Sequence, residues 1–261
     1  MKQRIITATW GIALVAAVNI LGGIPLKVFG IVVTLVGIHE FFSLYRIERY
    51  MMYLSMLASI VFFIVPLDFS QKIFIVFIVL FIFAFIESFK NEVAAKSIVY
   101  SIFSFIYVTL PIFLLISLYD FENGKKLIWL PYLVCWATDT FAYFIGISLG
   151  KKRIWSSISP KKSLEGFIGG IIGGIIAVWF YLSILGHAKF GFNIFITGLI
   201  TGASVSIVAQ TGDLFASMLK REQNKKDFGF ILPGHGGVLD RFDSLIMVAP
   251  TIYLLAKIGI F

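Results

Sequence analysis

The stretch "SVSIVAQTGDLFASMLK", residues 204–220, combines an apolar helical pattern with polar side chains at regular intervals. Five polar residues recur after four, three, four and three positions, namely Ser206, Gln210, Asp213, Ser217 and Lys220. In an α-helix this spacing places all five on one face. A water-soluble helix shows the reverse pattern, with an apolar stripe on a polar surface. The stretch therefore predicts a helix in hydrocarbon whose polar face points to a bundle interior or a watery cavity.

The composition of the whole chain agrees with a membrane protein. Hydrophobic residues make up 59% and charged residues 14% of the 261 residues, whereas soluble domains carry about 25% charged residues. A spanning helix needs about 20 mostly apolar residues. By that rule we expect an all-α integral membrane protein, a polytopic helical bundle with about nine transmembrane helices, and a count of eight or ten stays open. The predicted spans are 4–22, 24–45, 51–67, 72–88, 97–119, 127–149, 164–185, 192–219 and 239–260.

The basic residues predict the orientation of the chain in its membrane. Of the 22 lysines and arginines, 15 lie on the side of the N-terminus and 5 on the opposite side. We therefore expect a multi-pass protein of a bacterial-type inner membrane, with a cytoplasmic N-terminus and an outside C-terminus. Lys2 and Arg4 precede the first apolar run as in a signal peptide, but no clear cleavage site follows. An uncleaved first span is the prediction.

Polar residues are distributed unevenly between the two halves of the chain. Residues 1–125 contain long stretches of Ile, Phe, Val and Leu, whereas acids, glycines and hydroxyl residues accumulate from Trp136 onward. We interpret 1–125 as scaffold helices and 126–261 as the catalytic region of one continuous membrane domain.

Asp213 and Asp139 are two acids inside predicted spans that are candidates for a functional role. Asp213 belongs to the polar face, and helix–helix hydrogen bonding, which explains Ser206 and Ser217, does not explain an ionised aspartate. Asp139, in "WATDTFAYFIG", lies near mid-span, where a charge costs at least about 2.5 kcal/mol. For Asp139 a functional role and a buried structural partner are both left open.

A second polar motif, "PGHGGVLDRFD" at residues 233–243, precedes the last apolar run. Asp240 and Asp243 are three residues apart, so both carboxylates lie on one face of a helix start, and a hard cation such as Mg²⁺ suits such oxygen ligands. Arg241 can pair with an acid or bind a phosphate. The glycines provide backbone N–H groups that can approach an anion closely. His235 is either a base or metal ligand, or a hydrogen-bonding support.

Basic and small residues complete the pattern. Two basic segments, residues 150–166 and 220–227, are predicted on the same side of the membrane as the acids, which indicates a polyphosphate substrate. Gly166, Gly170 and Gly174 recur every four residues. That spacing permits close helix packing, within the bundle or at the seam of a homodimer.

The residues from 217 to 243 resemble the signature of the phosphatidate cytidylyltransferase family, also called CDP-diacylglycerol synthases. That signature has the form S-x-x-K-R-x4-K-D-x-G-x2-[LIF]-P-x-H-G-G-x-x-D-R-x-D. It is filled without a gap by Ser217, Lys220, Arg221, Lys226, Asp227, Gly229, Leu232, Pro233, His235, Gly236, Gly237, Asp240, Arg241 and Asp243. The upstream segments "WATDTFAY" and "SPKKSLEG" are also similar to family elements, so the resemblance extends from about Trp136 to Ser244.

The resemblance implies a Mg²⁺-dependent reaction in which CTP, or dCTP, and phosphatidic acid give CDP-diacylglycerol and pyrophosphate. With the residue pattern, it assigns the metal, directly or through water, to Asp213, Asp240 and Asp243, and a second cation stays open. Expected phosphate contacts are Lys220, Arg221, Lys226 and Arg241, with Ser159 and Lys162 as further candidates. Asp227 is expected to orient a lysine or a sugar hydroxyl, and His235, Gly236 and Gly237 are expected to contact substrate. Asp139 is expected to complete the metal site or to bind through water. The lipid bilayer is an expected partner, and nucleic acid is not.

Two other functions use similar residues. An ion-coupled transporter also carries acids inside its spans, but such transporters commonly contain two repeats, and the sequence shows no repeat. A lipid-alcohol kinase would use the same metal chemistry. The reaction products distinguish the kinase, because it would release a nucleoside diphosphate rather than pyrophosphate.

Overall fold

The computed structural model describes residues 2–88, 94–156, 158–185 and 193–261. Within these ranges the regular secondary structure is helical, apart from two isolated β-bridges. The α-helices are α1 (Lys2–Leu21), α2 (Gly23–Tyr45), α3 (Arg49–Ile64), α4 (Phe69–Ser88), α5 (Ala94–Ser104), α6 (Leu110–Ser117), α7 (Gly124–Leu127), α8 (Leu130–Ser148), α9 (Leu164–Leu185), α10 (Ile194–Glu222) and α11 (Leu239–Lys257).

The helices coincide with the predicted spans. A π-helical segment, Phe105–Thr109, joins α5 to α6 in the fifth predicted span, and α7 and α8 share the sixth. The all-helical fold class is thereby confirmed, while the number of spans stays a prediction. Of the described helical segments, five are long and apolar enough to cross a membrane: Gly23–Tyr45, Lys96–Asp120, Gly124–Ser148, Leu164–Ile184 and Ile194–Glu222. Ile6–Leu21, Arg49–Ile64 and Phe69–Phe83 are apolar but shorter.

Some of the sequence predictions fall on residues outside the described ranges. They are the basic residues Lys90 and Lys189 of the topology count, the polar breaks around them, and Phe192 at the start of the eighth predicted span.

Local sequence explains where several helices end. Between α1 and α2, Gly22 and Gly23 adopt φ angles of 62° and 52°, a region that glycine enters without steric cost. Helix α2 ends at Arg46, which has a left-handed backbone with φ 53°. Helix α3 ends before Val65, which is extended, as expected for a residue that precedes a proline.

Pro111 accounts for the irregular helix in the fifth predicted span. A proline inside a helix has no N–H to donate and crowds the carbonyl one turn before it. The π-helical segment Phe105–Thr109 lies directly N-terminal to this position, and such segments accommodate a break in the regular hydrogen-bond ladder.

The chain forms two compact units. The first comprises Met1–Phe113 and Asp227–Asp240, and the second comprises Leu114–Lys226 and Arg241–Phe261. In the first unit the apolar core includes Phe62, which meets Phe105 edge to face with ring centroids 5.1 Å apart. The sequence-based division between residues 125 and 126 rests on composition. The two units rest on packing instead, and they assign the polar loop before α11 to the first unit.

In the second unit, glycines on α9 allow its neighbours to approach closely. A Cβ added at Gly166 would lie 2.8 Å from the carbonyl oxygen of Ala142 on α8, and one at Gly174 would lie 3.0 Å from that of Gly202 on α10. Because side chains at these positions would collide with backbone, the glycine repeat serves packing within the bundle. A homodimer stays a prediction.

We expect Gly174→Ala to destabilise the protein by about 1–3 kcal/mol, because a methyl group there meets Ser206 and the α10 backbone. The matched control is Gly11→Ala, since Gly11 lies in α1 and a Cβ added there meets nothing within 4 Å. That change should be neutral or stabilising by up to about 1 kcal/mol. Unfolding of both variants in detergent tests the prediction, and equal effects would contradict it.

Candidate active site

The polar face of α10 is directed into the protein over most of its length. Ser206, Gln210 and Lys220 are buried, and Asp213 and Ser217 are half-buried. The helix starts at an Asn193 cap, whose side chain accepts a hydrogen bond from the Phe195 N–H at 2.8 Å. The expectation that the polar stripe faces the interior is therefore confirmed.

Partners from a neighbouring helix and loop satisfy this stripe. The Gln210 side-chain amide donates to the Phe167 carbonyl oxygen of α9 at 3.1 Å. Lys162, at the end of the basic loop 150–163, places its Nζ 2.8 Å from Oδ2 of Asp213. The same Nζ donates to the Gln210 carbonyl oxygen at 3.4 Å. One lysine thus ties the basic loop to the centre of the polar stripe.

Asp243, on α11, faces the same region of the second unit. Its carboxylate interacts electrostatically with Asp213, Lys220 and Asp139. Helices α10 and α11 approach closely beside it, because a Cβ added at Gly212 would lie 3.1 Å from the Asp243 carbonyl oxygen. The Asp243 Oδ1 also accepts from the N–H of Ser244 at 2.8 Å.

Asp139 brings a third helix, α8, to this site. Its side chain is exposed at the surface of the chain, although the neighbouring Thr138 is fully buried. The carboxylate interacts with Asp213 and with Lys162. We name Asp139, Asp213 and Asp243 the acid cluster, which three separate helices supply.

The donors of the acid cluster fit a hard divalent cation. Three carboxylates repel one another there, and the ammonium groups of Lys162 and Lys220 offset part of their charge. Carboxylate oxygens are the ligands that Mg²⁺ takes, usually one or two of them with water and substrate phosphates. Among the described residues, no group of three or more His, Cys, Asp or Glu side chains is arranged as a ready metal site. A Mg²⁺ ion bound by one or two of these carboxylates would take its remaining ligands from substrate or water.

Hydrogen bonds between backbone N–H groups and the side chains of Glu165 and Ser163 hold the basic loop at the start of α9. Glu165, in the first turn of α9, accepts from the N–H groups of Lys151 at 3.1 Å and Lys152 at 3.3 Å. Arg153 forms an isolated antiparallel bridge with Ser163. The Ser163 hydroxyl oxygen in turn accepts from the Gly166 N–H at 3.1 Å and caps α9. These contacts leave the side chains of Lys151, Lys152 and Arg153 exposed.

The other predicted phosphate contacts occupy different surroundings. Arg221, Lys226 and Arg241 are exposed, and Arg221 donates from Nη1 to the Lys225 carbonyl oxygen at 2.9 Å. Ser159 is half-buried in the basic loop, and its N–H donates to the Trp155 carbonyl oxygen at 2.8 Å. Their contacts with substrate stay predictions.

Residues 227–238, the glycine loop, belong to the first unit and are organised by Asp240. The Oδ2 atom of Asp240 accepts from the Phe228 N–H at 2.8 Å and the Gly237 N–H at 2.9 Å. Gly236 has a left-handed backbone with φ 80°, and a Cβ there would lie 2.9 Å from the same oxygen. Asp227, half-buried, flanks Gly236 from the other side, 3.2 Å from that Cβ position.

Glu40 of α2 completes the hydrogen bonding of the glycine loop. Its carboxylate accepts from the Val238 N–H at 2.8 Å and the Leu239 N–H at 2.9 Å. The N–H groups of Gly237, Val238 and Leu239 are thus bound by carboxylates of this chain. The Gly237 N–H thus meets an anionic group of this chain, the Asp240 carboxylate, and a contact of Gly237 with substrate stays a prediction. A contact of Gly236 with substrate stays a prediction.

His235 lies half-buried in the same loop. Its backbone N–H donates to the Leu232 carbonyl oxygen at 2.9 Å, which closes a tight turn. Its Nδ1 atom is enclosed and has no hydrogen-bond partner within the described part of the chain. The structure supports neither sequence-based alternative for this residue over the other.

Sequence reasoning missed Glu40 and Glu165, both of which bind backbone N–H groups. A signal for Glu40 exists, since it is the one acid between residues 1 and 47 and lies within an apolar stretch. Glu165 follows Ser163 at the start of α9, and an acid is favourable in the first turn of a helix.

Comparisons with known proteins show the family of this chain. Residues 2–259 match the model of the "Cytidylyltransferase family". A "Phosphatidate cytidylyltransferase" of Bacillus subtilis (strain 168) is 32% identical over 269 residues, which covers 98% of this chain and 97% of the relative. Proteins of the same name are 38% identical in Thermotoga maritima, over 72% of this chain and 70% of the relative, and 36% identical in Rickettsia typhi, over 79% and 92%. The chain therefore belongs to the cytidylyltransferase family.

Proposed function

We propose that this protein is a phosphatidate cytidylyltransferase that condenses CTP, or dCTP, with phosphatidic acid to give CDP-diacylglycerol and pyrophosphate. The observation that carries the proposal is the acid cluster of Asp139, Asp213 and Asp243, with Lys162 and Lys220 beside it, on helices that are mostly apolar. The names of the relatives support the same reaction.

The reaction joins two groups that are already anionic. A phosphate monoester has a second pKa near 6, so the lipid phosphate is largely dianionic at neutral pH and requires no strong general base. Its oxygen attacks the α-phosphorus of CTP, the bond from that phosphorus to the bridging oxygen breaks, and pyrophosphate leaves. Catalysis then depends on positioning and on neutralising negative oxygens.

Asp213 and Asp243 are the residues that would hold Mg²⁺, with Asp139 acting through water. Bound Mg²⁺ would stabilise negative charge on the triphosphate and on the leaving pyrophosphate. Asp240 is kept in the proposed ligand set because it precedes Asp243 by one helical turn on α11. A second cation is left open.

The lysines beside the acid cluster would act on the substrate phosphates. Lys162 holds Asp213 at 2.8 Å, and we propose that a phosphate oxygen takes over part of this pairing when substrate binds. Lys220 is buried near Asp243, where a cation is worth more than at an exposed position. Exposed Arg221, Lys226 and Arg241 would meet the charged ends of the nucleotide.

The proposed location is a bacterial-type inner membrane, with the N-terminus and basic loops in the cytoplasm, where CTP is found. Bacterial relatives and apolar helices support a multi-pass membrane protein. The charge distribution of the sequence supports the orientation.

If this topology is right, a reporter fused after Phe261 should report a location outside the cytoplasm. A second reporter inserted in the basic loop 150–163 should report the cytoplasm, because that loop carries several of the 15 basic residues of the predicted cytoplasmic side. Paired alkaline phosphatase and fluorescent protein fusions measure both. A cytoplasmic C-terminus would contradict the predicted nine spans.

With purified protein and phosphatidic acid, we expect liponucleotide and pyrophosphate to form from CTP or dCTP, and formation to stop when Mg²⁺ is chelated. The four ribonucleoside triphosphates are compared in parallel by product chromatography and pyrophosphate release. Release of a nucleoside diphosphate would indicate a kinase instead. Full activity in EDTA would contradict the role of Mg²⁺.

Asp213→Asn and Asp243→Asn should each lower turnover by at least about 100-fold, roughly 2.7 kcal/mol of barrier. Each change preserves side-chain size and removes the charge that a cation requires. The double variant should be little worse than the poorer single one, because residues that act as a unit are not additive. Asp120→Asn, at an exposed aspartate outside the acid cluster, is the matched control and should retain normal turnover.

Asp240→Asn separates two roles of that residue in the same assay. An asparagine oxygen can still accept from the Phe228 and Gly237 N–H groups, so the glycine loop should stay in place. A metal ligand at this position predicts a loss of about 100-fold, as at Asp243. Turnover within about threefold of the unsubstituted protein would remove Asp240 from the ligand set and leave it as a support of the loop.

A further inference from the structure

We propose that Glu40 is a positioning residue for the reaction: its carboxylate fixes the glycine loop and the first turn of α11 in place. The inference rests on the proposed function, since His235 and Gly236 in this loop are predicted to contact substrate. Glu40 itself lies in α2, far from the signature in sequence, and nothing in the signature assigns it a role.

Glu40 accepts hydrogen bonds from backbone N–H groups at the start of α11 that have no acceptor within the helix. The first N–H groups of a helix have no intrahelical acceptor, and a side chain just before the helix usually supplies one. Here Gly237 and Val238 precede α11, and neither has a side-chain acceptor. Glu40 supplies the oxygens instead, bonding Val238 and Leu239 across 198 and 199 positions of sequence. It is 2% exposed, so water does not compete for these bonds.

Two glycines leave the space that the Glu40 carboxylate occupies. A Cβ added at Gly229 would lie 2.7 Å from Oε1 of Glu40, and one at Gly237 would lie 2.6 Å from the same atom. Gly237 does not have a left-handed backbone, so an alanine there is conformationally allowed. The absence of a side chain at Gly237 is therefore explained by the close approach of Glu40.

Glu40 and Asp240 hold the glycine loop by binding different backbone N–H groups. Asp240 binds the N–H groups of Phe228 and Gly237, and Glu40 binds the next two along the chain. The two carboxylates repel each other, and the positive end of the α11 dipole offsets that repulsion. Because each carboxylate holds different N–H groups, the loss of Glu40 releases the join between the loop and the helix, while Asp240 still holds the start of the loop.

The test uses full-length protein in detergent with the variant Glu40→Gln. The glutamine oxygen can accept from one N–H, but its amide group then faces the other donor. Amide hydrogen exchange, followed by mass spectrometry, should become at least about tenfold faster in peptides covering 236–242. Exchange in α8, α9 and α10 should stay unchanged.

Thr34→Val is the matched control on the same helix. Thr34 is 1% exposed, and its hydroxyl has no hydrogen-bond partner in the described part of the chain. This change should leave both exchange and turnover unaltered. Two results in Glu40→Gln would overturn the proposal. Unchanged exchange at 236–242 would mean that Glu40 does not hold these N–H groups, and an equal increase throughout the protein would mean that Glu40 supports the fold in general.

A double-mutant cycle tests whether Glu40 and Gly237 act through each other. Gly237→Ala pushes on the Glu40 carboxylate and should lower turnover by at least about tenfold in the unsubstituted protein. In a Glu40→Ala background the same change should cost less than about threefold, because the colliding group is gone. Additive effects would overturn the proposal.

Exchange and turnover separate this inference from the proposed function. If the unsubstituted protein makes no liponucleotide from CTP and phosphatidic acid, the proposed function fails, and the exchange result still decides whether Glu40 holds the loop. If the unsubstituted protein turns over and Glu40→Gln speeds exchange in the loop without slowing turnover, Glu40 is structural and the positioning role is wrong.

Discussion

The cost of leaving a charged or amide group unpaired in hydrocarbon is the constraint on which the local packing around Gln210, Asp213 and Glu40 depends. Hydrocarbon offers no donors or acceptors, and an unpaired polar group there costs several kcal/mol. In the second unit, Gln210 meets the Phe167 carbonyl and Asp213 meets Lys162. In the first, Glu40 meets the N–H groups at the start of α11. Each partner comes from a different element, so satisfying the polar group also fixes the packing.

The glycines of α9 and the polar stripe of α10 are two halves of one contact. A Cβ at Gly170 would lie 2.9 Å from the Gln210 amide, and one at Gly174 would meet the side chain of Ser206. The glycines of α9 thus leave space for the polar side chains of α10, and the close approach of the two helices lets Gln210 donate to the Phe167 carbonyl oxygen. Gly170 and Gln210 are 40 residues apart in the sequence. The glycine pattern alone therefore does not indicate that it packs against the polar stripe, and the polar stripe does not indicate the glycines.

Periodicity predicted the helices and the polar face, because both depend on residues within a few turns of each other. It could not predict the partners. The pairing of Lys162 with Asp213, and the reach of Glu40 to Val238, join positions 51 and 198 residues apart. The spacing of Asp240 and Asp243 shows a shared helical face, but a carboxylate that binds backbone N–H groups and one that binds a cation leave the same pattern. The hydrogen bonds of Asp240 to the N–H groups of Phe228 and Gly237 show the first use, and its binding of a cation stays a prediction.

The acids of this protein differ in what their oxygens bind, which is either backbone N–H groups or lysine side chains. Glu40, Asp240 and Glu165 accept from backbone N–H groups at helix starts or loop turns, and these contacts hold the chain in place. Asp139 and Asp213 instead interact with each other and with Lys162. A lysine can exchange one anionic partner for another at little structural cost, whereas a backbone N–H cannot move without its helix. The proposed substrate or cation would therefore compete more easily for a carboxylate paired with a lysine, such as Asp213, than for one that holds backbone N–H groups.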